Sequence, residues 1–135
     1  MIRWIGWMVL GVSLAWLGTG AANAAPVSVE LNKLESDSGA CQAYMVTDNG
    51  HDQSLESLKL DLVMFDAEGI ISKRLAVDLG PLPANKTRVK VFRIEGTGCG
   101  EINRILLNGV TSCGGAGDCR GLVSVGSRSD VAFVE

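Results

Sequence analysis

From residue 27 onward apolar side chains return at every second position, and that alternation restricts the chain to strands with one buried face. Val27, Val29 and Leu31 alternate with Ser28, Glu30 and Asn32. Between Ala40 and Thr47, Cys41, Ala43 and Met45 share one face, with Tyr44 and Val46 on the other. Leu58, Leu60, Leu62 and Met64 make the clearest strand, and Val63 and Phe65 leave its far end apolar on both faces. Helical periodicity is hard to find anywhere in this stretch.

The breaks between strands carry their own chemistry. Asp66, Ala67, Glu68 and Gly69 form a hairpin loop in which Gly69 supplies a positive φ. The following strand runs from about Ile70 to Leu79, with Ile71, Leu75, Val77 and Leu79 as its inward set. Pro81 and Pro83 interrupt the sheet, because proline brings no N–H to a ladder. From Lys86 the alternation reads Thr87, Val89, Val91 and then jumps to Phe92 and Ile94, which predicts a bulge near Val91. Ile102 to Ser112 reads as a strand, although Ile105, Leu106 and Leu107 also fit a helical turn. Leu122, Val123 and Val125 open the last strand, and the pattern gives no assignment after Ser127. Seven short strands at this spacing predict an all-β, immunoglobulin-like, antiparallel β-sandwich of two sheets.

The start of the chain has a different character. Arg3 precedes an apolar run from Trp4 to Leu17, and small residues end the segment at Ala22, Asn23 and Ala24. This is the order of a secretory signal peptide, with cleavage expected after Ala24. No cysteine stands at that point to take a lipid anchor. One domain of about 110 residues remains, residues 25–135, which can bury a modest core and gains from covalent staples. The expected location is periplasmic or secreted, with no membrane attachment after cleavage. The formal charge of −3 becomes one unit more negative once Arg3 leaves with the leader. Nucleic acid is an unsuitable partner for a chain with that balance and no basic stripe.

The segments Leu58–Asp66, Gly69–Ile71, Pro81–Pro83 and Val89–Phe92 resemble bacterial exported immunoglobulin-like domains of the FxLYD type. In that pattern an apolar strand ends in an aromatic residue and Asp, a Gly turn follows, and a proline loop leads into the next strand. The resemblance covers about residues 58 to 94. Met64-Phe65-Asp66 stands where the pattern has Leu and Tyr before the Asp, and the four cysteines are not part of it. The chain also resembles small exported proteins of proteobacteria. The resemblance implies an accessory or binding domain and carries no catalytic residue.

Export and an even cysteine count predict disulfides, and three pairings are possible by counting. Strands that run alternately up and down the sandwich bring Cys41 to the end where the loop around Cys99 lies. Cys113 and Cys119 then flank a tight loop at the opposite end, where they are expected to close a hairpin. In the chain-entropy account the long staple is worth about 4 kcal/mol and the short one about 2.4 kcal/mol.

Candidate sites follow from the same layout. Loops at the Cys113 end, Thr47 to Ser57, the Pro81 and Pro83 loop, and Gly114 to Asp118, are expected to share one face. Rigid scaffolds concentrate contacts on such loops, so Asp48, His51, Asp52 and Asp118 are candidate contact residues. Asp48 to Asp52 does not have the ligand spacing of a calcium loop, and thiols in an exported chain oxidise before they hold zinc. His51 is the one histidine, so histidine-dependent chemistry has to pass through it. No nucleophile elbow, P-loop or other catalytic signature accompanies it. Phe65, Ile70 and Phe92 become a contact patch if they are exposed. The reading is a non-enzymatic module, without cofactor or metal, that docks an envelope protein as a monomer or weak oligomer. The alternative is a small-ligand binder or enzyme built on the Asp48–Asp52 loop. Edge pairing between copies is a third possibility, opposed by the charges after Lys86.

Overall fold

The computed structural model describes residues 15 and 18 and the continuous stretch 25–135. The expected leader at residues 1–24 lies almost wholly outside the described residues. Eight strands follow in order: β1 (Val27–Asp37), β2 (Ala40–Asn49), β3 (Lys59–Phe65), β4 (Ile71–Asp78), β5 (Lys86–Ile94), β6 (Arg104–Ser112), β7 (Val123–Ser127) and β8 (Ala132–Val134). A single 3₁₀ turn at Cys99–Glu101 precedes β6. They form two four-stranded sheets, β5-β2-β1-β7 and β4-β3-β6-β8. The expected two-sheet β-sandwich is therefore the architecture.

The core lies where the two inward rows meet. Val27, Val29, Leu31, Ala43 and Met45 come from the first sheet, and Leu60, Leu62, Met64, Ile105 and Leu107 from the second. Burying each large side chain of this kind is worth about 1.5–3 kcal/mol, so the period-two pattern is what holds the sheets face to face. The three-residue apolar run at Ile105 lies within β6 as a strand, with Ile105 and Leu107 inside and Leu106 half-buried. Gly69 takes φ +77° in the β3–β4 hairpin, as its loop requires.

Four expectations are corrected. β5 pairs with β2 without a register shift from Cys41↔Ile94 to Asn49↔Lys86, so no bulge occurs near Val91. Ile94 is locked opposite the buried Cys41, and counting back by twos puts Phe92, Lys90, Arg88 and Lys86 on the inward side. Val89 and Val91 accordingly face out, 62% and 45% exposed. Long cationic side chains tolerate this on an edge strand because their stems lie along apolar surface while the charges reach water.

Ile71, expected inside, is 59% exposed. The register shifts between Met64 and Phe65, and that irregularity carries Ile71 out of the row formed by Lys73, Leu75 and Val77. Cys113 and Cys119 flank a loop that passes from β6 in one sheet to β7 in the other, rather than a hairpin within a sheet. The residues after Ser127 form a tight turn and β8. This last segment also departs from an all-antiparallel arrangement: β7 runs parallel to β1, and β8 parallel to β6.

The disulfides pair as expected, Cys41 with Cys99 and Cys113 with Cys119. The first ties the start of β2 to the turn between β5 and β6. The second closes the passage between the sheets at the opposite end.

Candidate interaction surface

The loops expected to share one face do so. The backbone N–H of Leu55 donates to Leu82 O and that of Leu82 to Leu55 O, at 2.8 and 2.7 Å. Glu56 N–H donates to Gly114 O, and Gly114 N–H donates to Ser57 Oγ. Gly115 has φ +103°, and a Cβ there would stand 2.6 Å from the Ser54 carbonyl oxygen. Only glycine permits both that backbone conformation and so close an approach.

This face is filled. Leu55 and Leu82 plug it from inside, both fully buried. Asn49, also fully buried, donates from Nδ2 to the carbonyl oxygens of Gln53, Leu82 and Pro83 and accepts from His51 N–H. By sequence Asn49 falls in the Thr47–Ser57 loop, but it is the last residue of β2, and a polar residue closing the inward row of a strand is the signal that marks it. His51 is half-buried, and its Nδ1 accepts from Gln53 N–H at 3.1 Å. Asp52 stands 3.6 Å from the same nitrogen and is exposed. Asp48 accepts from Thr87 Oγ1 on the outer face of the first sheet. Asp118 turns back on Arg120, whose backbone N–H and guanidinium hold its carboxyl below the usual range. The four candidate contact residues of this end thus serve separate local turns and pairs.

At the opposite end, Phe65 is half-covered by the Arg104 guanidinium, 4.5 Å from the ring centre. Ile70 is 63% exposed at the tip of the β3–β4 hairpin. Its N–H donates to Asp66 Oδ1, which organises the loop behind it.

Phe92 belongs to a third region. One flank of the sandwich is closed by the turn joining β7 to β8, while on the other flank β5 and β4 are both outermost strands. Between them lies a cleft of about 420 Å³ lined by residues that include Leu75, Val77, Phe92, Lys73 and Lys90. Its acidic residues are already engaged. Leu58 and Gly80 N–H groups donate to Asp78 Oδ1 at 3.1 and 2.9 Å, and these bonds, aided by Lys59 and Lys90, lower its pKa. Glu95 pairs with Arg93 at 2.7 Å, and Arg93 also pairs with Asp37. Outward from the cleft edge stand Val89 and Val91, beside Val46 and Tyr44 of β2. Of this region only Phe92 is a candidate by sequence, because the alternation from Thr87 puts Val89 and Val91 in the apolar set of the strand.

No family model matches the chain, and no curated protein matches it significantly. Among solved structures it is similar to IrmA from Escherichia coli, with a TM-score of 0.53 and 14% identity, over 73% of this chain and 89% of that one. That likeness is one of fold.

Proposed function

We propose that this protein is an exported, non-enzymatic interaction module that docks a partner protein of the cell envelope through the open flank between β4 and β5. One observation carries the reading. Val89 and Val91, both exposed, stand at alternate positions on the outer face of β5 beside Val46 and Tyr44 of β2, whereas exposed Ile70 and Ile71 lie at the β3–β4 hairpin of the other sheet. Apolar residues gathered on one side of a small domain mark a contact surface more often than scattered ones do. The two disulfides and the leader pattern support a periplasmic or secreted location, where such bonds persist. The FxLYD-type resemblance belongs to the same reading. The filled loop face around His51 weighs against a small-ligand site there.

The test is cross-linked capture from cell envelopes by the oxidised protein, compared with V89K/V91K. Both valines are exposed, so the variant is expected to fold. A stoichiometric partner held by the parent and lost by the variant supports the reading. Equal capture by both excludes this flank, and absence of any partner excludes the module.

A further inference from the structure

Resting on that reading, we propose that the open flank binds an acidic, extended segment of its partner, added as a strand to the free edge of β5. An outermost strand leaves half of its backbone N–H and C=O groups without ladder partners, and a peptide strand satisfies them directly. β5 offers nine residues of regular, unbulged edge for this.

Charge defines the occupant. Within β5 stand Lys86, Arg88, Lys90 and Arg93, with no acidic residue, in a chain whose net charge is −3. Lys86, Arg88 and Lys90 lie on the inward side opposite Asn49, Thr47 and Met45, so they form one row at alternate positions. Such positions are about 6.6–6.8 Å apart along a strand. Across the cleft, Lys73 of β4 adds a fourth cation. None of Lys73, Lys86, Arg88 and Lys90 forms an ion pair with any described residue. Of the nearby carboxylates, Asp78 accepts from the Leu58 and Gly80 N–H groups and feels the charge of Lys90 without an ion pair, and Glu95 pairs with Arg93.

The opposite face of β5 sets the alternate positions. Val89 and Val91 face outward, so a strand laid beside them places apolar residues there and its carboxylates toward the cation row. The preferred ligand is an extended segment alternating acidic and apolar residues. A second copy of this chain is a poor occupant, because antiparallel pairing of β5 with itself sets cations against cations. The charges that repel a copy select an acidic strand.

The probe is a labelled peptide as long as β5, alternating Glu and Val, followed by fluorescence anisotropy with the oxidised protein. Three comparisons accompany it: a Lys-for-Glu peptide, a peptide N-methylated at the amides facing β5, and the K86E/R88E/K90E variant. We expect saturable binding that weakens about tenfold or more in each comparison, with the variant's melting temperature close to the parent's. Equal binding of the N-methylated peptide overturns strand addition. Displacement by inorganic phosphate at concentrations similar to the peptide assigns the cleft to small anions and overturns the proposal, as does a dimer that occludes β5. If the triple variant loses the peptide yet still captures the partner, the acidic-strand inference falls and the module reading stands.

Discussion

The side-chain amide of Asn49, at the last position of β2, donates to the carbonyl oxygen of Leu82 at 3.2 Å, joining residues 33 positions apart in the buried end of the sandwich. Asn49→Ala removes the donor to the Gln53 and Pro83 carbonyl oxygens and the acceptor of His51 N–H, while the Leu82 oxygen keeps its bond from Leu55 N–H. A buried polar group left unpaired costs about 1–3 kcal/mol. We expect a loss of about 2–4 kcal/mol in urea unfolding, a large share of a small domain's stability.

The two disulfides should be unequal. Replacing Cys41 and Cys99 together by Ala removes a staple across 58 residues, and about 4 kcal/mol is expected to go with it. The Cys113 and Cys119 pair spans 6 residues, and its removal is expected to cost about 2 kcal/mol. Thermal unfolding of the two double variants gives the order, and a non-reducing peptide map linking Cys41 to Cys113 contradicts the pairing.

Thr47 faces the core with a buried hydroxyl that has no hydrogen-bond partner among the described residues. Thr47→Val keeps the β-branched shape and removes that unpaired group. A gain of about 1 kcal/mol in chemical unfolding is expected; a loss of similar size shows that the hydroxyl is satisfied in solution.

Asp61 accepts two bonds from Arg74, at 2.9 and 2.7 Å, and a third from Asn108 at 2.8 Å. The Arg74 bond, then the Asn108 bond, lowers its carboxyl from 3.8 to about 2. Because the folded value is the lower one, the stabilisation is full above about pH 4 and disappears as pH falls through about 2. Asp61→Asn should therefore destabilise at about pH 5 and make little difference at about pH 1.5, with unfolding midpoints at both pH values as the measure. An equal effect at both contradicts a charge-dependent pair.

Register decided which expectations survived. Val27, Val29 and Leu31 alternate with polar neighbours that are exposed or half-buried, so their inward direction was legible from local pattern alone. In β5 both alternate sets carry apolar residues, Val89 and Val91 in one and Phe92 and Ile94 in the other, and local pattern cannot rank them. Pairing with β2 ranks them, because a slip of one residue exchanges the faces of a strand. Ile71 moved outward for a related reason, through a register shift opposite Phe65.

By itself, then, the sequence determined the strand-rich architecture, the disulfide pairing and the gathering of the Asn49, Leu82 and Gly114 loops at one end. Alternation and chain direction are local properties, and each of those features follows from them. Tertiary structure alone decided that β7 and β8 run parallel to their neighbours, that one flank stays open, and that Lys86, Arg88 and Lys90 form a single row beside it. Those depend on which strand lies beside which and in what register, long-range choices set by how the whole core packs rather than by any one segment.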